Sequence, residues 1–136
     1  MPEVTAQRNY PTTKRSVARA RTDCRDFLKS CGLPGPLDVV DDIVLVVSEL
    51  MTNAVIHGRV SGTSGRQVRM AIEKTGDVIR VEVRDTQSDK MPRLCEGSGH
   101  DLGRRGLVLV DVLADSWGVK REAIGKTVWA EKRFVR

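Results

Sequence analysis

Val17, Ala20, Cys24, Phe27 and Cys31 recur every three or four residues, the interval of one helix face, and predict a first helix. Thr12 or Thr13 can cap it, and Gly32 and Pro34 stop it. The face between holds Lys14, Arg15, Arg19, Arg21, Arg25 and Lys29, which are solvated or meet a partner. A second helix opens at Pro36-Leu37-Asp38, early acids suiting its N-terminal dipole, and runs to about His57 with Gly58 as its stop. Its core stripe is Val40, Ile43, Val47, Leu50 and Ala54. After the polar loop GRVSGTSG the period changes from 3.6 to 2. Val68, Met70 and Ile72 alternate with polar residues, Thr75-Gly76-Asp77 turns the chain, and Ile79, Val81 and Val83 alternate again, which predicts a hairpin. Thr86 to Leu102 is polar, carries Pro92, Gly97 and Gly99, and is long for a connection without structure; such loops are usually functional. Gly103 to Ala114 reads as a third helix with Leu107, Val110 and Leu113 inward. Ser116–Arg121 and Thr127–Val135 read as a closing hairpin around Ile124-Gly125-Lys126. Residues 1–11 form an extended arm or edge strand ended by Pro11. The expected architecture is α+β: a two-layer sandwich, with an antiparallel or mixed sheet and helices on one face.

Composition narrows this only a little. The 136 residues are 40% hydrophobic and 30% charged, the make-up of one soluble globular domain spanning 1–136. No apolar run approaches the ~20 residues of a membrane helix, and MPEVTAQRNY has no signal core, so the expectation is a cytoplasmic protein without a membrane partner. Cys24, Cys31 and Cys95 are an odd number at spacings that fit neither a disulfide framework nor a zinc site, and read as reduced thiols. The net charge is +5, from 23 basic and 18 acidic residues. It is unevenly spread: residues 37–57 hold Asp38, Asp41, Asp42 and Glu49 and no Lys or Arg. Aromatics are 4%, too few for base-stacking platforms, so direct nucleic-acid binding is not expected despite the basic first helix. A solvated basic surface or a site for anionic phosphates explains the excess.

Three places carry candidate chemistry. Glu49, Asn53 and His57 are four apart and share a stripe of the second helix, which Asp42 extends. They are either a polar edge beside the core or a functional row. An Asn oxygen suits Mg²⁺, and a Glu one turn away suits deprotonation of an attacking hydroxyl. His57, beside Gly58, fits a capping role better. Asp85 falls on the inward row of Ile79, Val81 and Val83, where a carboxylate needs a partner. It either caps the next loop or accepts the exocyclic amine of a purine. In GHDLGRRGL, Gly103 and Gly106 open a helix whose N-terminus can receive phosphate, or simply make a loop-to-helix hinge. There is no GxxxxGK[ST] phosphate loop, and the βαβ context of a dinucleotide fold is missing.

The order of these motifs is more specific than any one of them. Helical ExxxN, a strand-end Asp, a Gly-rich helix start and GKT in a closing hairpin resemble the GHKL ATPase superfamily with its Bergerat fold. SELMTNAVIHG, GRRGLVLVDVLADSWGV and GKTVWAE look most like the small stand-alone anti-sigma-factor serine/threonine kinases, over roughly residues 10–135. The resemblance implies Glu49 as catalytic base, Asn53 as the Mg²⁺ ligand and Asp85 as the adenine reader. It implies Gly103 and Gly106 beside the phosphates, Thr127 near adenine, and 86–102 as an ATP lid. ATP and Mg²⁺ would be bound, a sigma factor and a STAS-type anti-anti-sigma protein would be partners, and a homodimer is compatible. One departure is visible: Asp85-Thr-Gln-Ser-Asp has no glycine where the family has its first glycine box. The alternative expectation is a non-catalytic nucleotide- or partner-binding module of the same fold.

Overall fold

The computed structural model describes residues 3–33, 37–58, 67–85, 100–122 and 125–134, and of residues 37, 57, 58 and 100–106 only the backbone path. In chain order the elements are β1 (Val4–Pro11), α1 (Lys14–Ser30), α2 (Leu37–Gly58), β2 (Gln67–Thr75), β3 (Val78–Asp85), α3 (His100–Leu113), β4 (Ser116–Arg121) and β5 (Lys126–Arg133). The five strands form one sheet in the order β1-β2-β3-β5-β4. Every neighbouring pair is antiparallel. The three helices pack on one face, α1 over β1 and β2, α2 over β2, β3 and β5, and α3 beside β4, with α2 against both α1 and α3. This is the expected α+β sandwich, its sheet purely antiparallel.

The core follows the two periods. From β2 come Val68, Met70 and Ile72, from β3 Ile79, Val81 and Val83, and from β5 Val128 and Ala130, all buried. From the helices Cys24, Phe27, Ile43, Val47, Leu50 and Val110 close over them. Residues 1–11 are more than an arm, because Val4–Pro11 pairs with β2 along its whole length. Only Tyr10 of that strand is buried, and its hydroxyl donates to Asp23 of α1 at 2.5 Å.

Local chemistry sets the boundaries. Thr13 takes the extended N-cap backbone, yet its side chain makes no capping bond; Ser16 donates to the Pro11 carbonyl instead, at 2.6 Å. Gly32, at φ 60, accepts the left-handed turn that ends α1. Gly76 does the same between β2 and β3, at φ 59. Helix α3 begins at His100, three residues before the expected Gly103, so both glycines fall inside it. Residues 86–99, most of the expected lid with Cys95, lie outside the described residues. Cys24 and Cys31 are free thiols. Among the described residues no helix is long and apolar enough to cross a membrane.

Candidate functional site

Five element ends meet at one end of the sheet. In the register Val68 faces Asp85, so β2 begins where β3 finishes, and α2 runs toward this end, since Asp42 near its start pairs at 3.7 Å with Lys132 at the other end of the sheet. Asp85 also faces Lys126, the first residue of β5. Helix α3 leads into β4 at Ser116, which pairs with Glu131 at the far end, so the N-terminus of α3 points back to the Asp85 end. A helix C-terminus, three strand ends and a helix N-terminus therefore frame one corner.

Asn53 lies near the end of α2, on its buried side, and its Oδ1 is buried with no hydrogen bond from any described group. A buried amide oxygen left so costs about 1–3 kcal/mol unless a ligand satisfies it. Glu49 sits one turn earlier and is half-buried, so its carboxylate is reachable from solvent. The side chain of His57, third in the row, lies outside the described residues.

Asp85 is 2% exposed. Among the described residues it and Lys126 are the only buried charged side chains, and the ladder sets them directly opposite on the inner face. Directly opposed residues on one face have Cβ atoms about 5 Å apart, close enough for opposite charges to offset each other's burial. Lys126 was not singled out by the sequence reading. The signal was available: Val128 and Ala130 point inward, so the period of two turns Lys126 inward and Thr127 outward. The structure accordingly does not bring Thr127 to Asp85. It faces Arg84 and Lys120 on the outer face, with a 3.1 Å hydrogen bond between its hydroxyl and Glu122.

Gly103 and Gly106 are in the first two turns of α3. In a helix starting at His100 the N–H groups free for an anion are those of residues 100–103. Gly103 can thus offer its amide, whereas Gly106 lies beyond the free N–H groups. Among the described residues no cluster of three His, Cys, Asp or Glu could hold a metal. A metal at this corner would rest on Asn53 Oδ1 and on oxygens brought by a phosphate ligand, a donor set that suits a hard ion such as Mg²⁺.

The outer face of the sheet holds a different polar group. Arg80 is hydrogen-bonded to Glu82 and Glu131, both at 2.8 Å, lies 4.0 Å from Glu73, and stacks 4.4 Å from the Trp129 ring. Burial works against its charge, but the two hydrogen bonds outweigh that and hold its pKa above the ordinary value. Gly118 faces Trp129 across β4 and β5, where an added Cβ would meet the indole at 2.9 Å. On the inner face, Trp117 Nε1 donates to Asp111 of α3 at 2.8 Å.

Comparisons with known proteins agree with the fold. A sequence profile described as histidine kinase-like ATPase domain matches residues 10–132. No curated protein matches. Among solved structures the fold is similar to the RsbU and RsbW domains of Rv1364c from Mycobacterium tuberculosis, at TM-score 0.74 and 22% identity, covering 99% of this chain and 33% of that one. It is also similar to the SiaB-SiaC complex from Pseudomonas aeruginosa, at TM-score 0.66 and 13% identity, covering 93% of this chain and 88% of that one. A third is the histidine kinase domain of the blue-light activated histidine kinase from Erythrobacter litoralis, at TM-score 0.53 and 23% identity, covering 91% and 61%. The chain thus spans a third of the length of that solved Mycobacterium chain. At these identities the likeness shows the fold.

Proposed function

This chain belongs to the histidine kinase-like ATPase domain family, and from that premise we propose that it is an ATP-dependent protein serine/threonine kinase of the anti-sigma-factor type. It binds ATP at the corner of Asn53, Asp85 and the α3 N-terminus. It phosphorylates a serine of a STAS-type anti-anti-sigma protein and holds a sigma factor when that antagonist is phosphorylated. The observation that carries the reading is Asn53: a buried oxygen without a hydrogen-bond donor, one helical turn from a solvent-reachable Glu49, at the sheet end that holds Asp85.

Each residue has a task. Asp85 accepts the adenine amine from the floor of the corner. The amides of the first turn of α3, Gly103 among them, receive phosphate, and Gly106 leaves room beside it. Residues 86–102 act as the lid. Mg²⁺, with Asn53 as its protein ligand, supplies charge neutralisation on the triphosphate. Glu49 accepts the proton of the serine hydroxyl as its oxygen bonds to the γ-phosphorus. The bond from that phosphorus to the β–γ bridging oxygen breaks, and ADP leaves with the electron pair. Positioning and electrostatics provide most of the acceleration.

A second reading has its own support. Lys126 opposite Asp85 offers that carboxylate a cation where adenine offers an amine, and the segment after Asp85 has no glycine until Gly97. A module that keeps the fold and binds partners without turnover fits both facts. The test is incubation with ATP, Mg²⁺ and candidate STAS proteins, alongside calorimetric titration of nucleotide. Phosphoserine that falls by roughly 10²–10⁴-fold in Glu49→Ala establishes the kinase, since that is what a general base contributes. Nucleotide binding without phosphoserine leaves the module.

A further inference from the structure

We propose that the free edge of β1 takes an added β-strand from a protein partner, and that the gap between β1 and α1 is the socket for one Lys or Arg side chain of that strand. The proposal is independent of the nucleotide reading, since none of its residues belongs to the corner.

Strand β1 is the outermost strand on its side of the sheet, and its eight residues pair with β2 without a break. An edge strand turns half of its backbone N–H and C=O groups away from the sheet, a template for another strand. Chains usually blunt such an edge with a bulge, a proline or lysines. In β1 the register has no bulge, the single proline is the last residue, and there is no lysine. Its one inward charge, Arg8, is drawn onto α1, 3.6 Å from Asp23. The opposite edge strand, β4, is shorter, six residues, and ends in Lys120-Arg121.

The side-chain layer beneath the β1 edge is incomplete. Tyr10, Arg8 and Ala6 face Val68, Met70 and Ile72 across the ladder, so all of them point to the helix side. The β2 residues are buried, yet Ala6 and Arg8 are exposed, as is Val4 at 43%, next in the row. Helix α1 therefore stops short of the edge and leaves a cavity of about 260 Å³. Its floor is Ala6, Phe27, Met70 and Ile72, and its wall carries Asp23 and Asp26. Asp23 is already served by the Tyr10 hydroxyl and by Arg8. Asp26 makes no hydrogen bond or ion pair with any described residue, Lys29 one turn on included. Sites for drug-sized ligands run to about 300–1,000 Å³, so this cavity has the size for one long side chain.

An apolar floor with one carboxylate to spare suits an aliphatic stem that ends in a cation. In a strand laid against β1, alternate side chains point to the helix side. The one opposite Ala6 enters the mouth of the cavity and reaches Asp26. The other inward positions are set by their neighbours. Opposite Arg8 an acid fits and a cation is repelled. Opposite Val4 an aliphatic residue packs. Run antiparallel, the segment reads Glu-x-Lys-x-Val. Main-chain bonds along the edge supply affinity, and the socket supplies the choice of sequence.

The probe is a synthetic peptide of about ten residues, the length of a long strand, with Glu-Thr-Lys-Thr-Val at its centre. It is labelled for fluorescence anisotropy and titrated with the full chain without nucleotide. Wild type is expected to bind it. Asp26→Asn should weaken binding about three- to tenfold, the size of a charge-assisted bond partly open to water. Exchanging the peptide's Lys for Glu should weaken it about tenfold or more, and Asp26→Lys should restore binding of the exchanged peptide. Methyl groups on one alternate set of peptide nitrogens should abolish binding and those on the other set should not, because only one set faces β1. Val119→Asp, on the opposite edge strand, should change nothing. Asp26 is exposed, and thermal melts of each variant guard against unfolding. Binding that ignores both Asp26→Asn and the Lys-to-Glu exchange, equal effects of the two methylated sets, or no binding of the starting peptide overturns the proposal. So does sedimentation showing a dimer that Asp26→Lys dissolves, because the socket would then hold Arg8 of a second copy. The assay uses neither ATP nor phosphate transfer, so its failure and the failure of the kinase reading are separate results.

Discussion

The two faces of the sheet carry polar groups of opposite kinds. On the outer face Arg80 has all the company a guanidinium needs: two carboxylates at hydrogen-bond distance, a third at 4.0 Å and an indole to stack on. Its members are half-exposed, so water shares the load. On the inner face the two buried charged side chains, Asp85 and Lys126, sit together at one end of the sheet, and Asn53 keeps an oxygen that nothing described satisfies. The first cluster is complete within the chain and has nothing left to offer a ligand. The second leaves an acceptor open, Asn53 Oδ1. The number of charges does not separate structure from function here; whether their valences are filled does.

The comparison can be tested by substitution, and the largest effect belongs to the inner corner. Asp85→Asn and Asn53→Ala should each cut ATP affinity roughly tenfold to hundredfold by calorimetry, the loss of a charge-assisted or ion-linked contact, without lowering the melting temperature. A fall in stability equal to the fall in affinity would place these residues with Arg80 as structural. Next comes the adjacent pair in β5. Lys126→Met should change nucleotide affinity about tenfold, whereas Thr127→Val should leave it alone and cost about 1 kcal/mol of stability through the lost Glu122 bond. An affinity change at Thr127 would contradict the register. On the outer face Arg80→Ala should lower stability by about 1–2 kcal/mol, since half-exposed ion pairs and one cation–π contact are each worth little in water, and nucleotide binding should not move.

The smallest effect is one of alkaline pH and involves neither face's charges. Burial pushes the Cys24 thiol up to about 12. Burial, and then the bond to Asp23, raise the Tyr10 hydroxyl as well. Both groups keep their protons in the folded chain at pH values where the unfolded chain loses them. Their contribution is therefore intact below the unfolded thiol value of about 9 and is lost as pH rises through about 12. Denaturant titrations should show stability falling across that window, less steeply in Cys24→Ala. A stability that stays level from pH 9 to 11 would contradict the shift.

Much of this was legible in the sequence, and the reasons differ by element. Helix α2 and the β2–β3 hairpin announce themselves because their apolar residues keep one period throughout. Strand β1 is legible only as an arm or edge strand, because seven of its eight residues are exposed and its place comes from backbone pairing with β2, which leaves no hydrophobic pattern. The start of α3 was set three residues late because Gly103 looks like a break, although a glycine within a first turn costs only about 1 kcal/mol. At the corner, motif order points to Asn53, Asp85 and Thr127, whereas Lys126 carries no motif signal and only the pleat turns it inward. Motif resemblance aligns letters, whereas the pleat decides faces, and Val128 and Ala130 would have settled the matter. The exposure of Leu45 and Ile56 leaves no mark in the sequence, because they are ordinary letters in an apolar helix and only packing shows which side of it stays uncovered.

The chain's two tryptophans stand on opposite faces of the same hairpin. Trp129 is fixed between Arg80 and Gly118 on the completed face, and Trp117 is tied through its indole N–H to Asp111 of α3. The protein therefore carries its own pair of optical channels. In Trp129→Phe the remaining emission comes from the indole that leans on α3, the helix whose other end borders the corner. Its colour and intensity would report each arrival of a ligand there, while Trp117→Phe would leave an emitter that stays dark to the event.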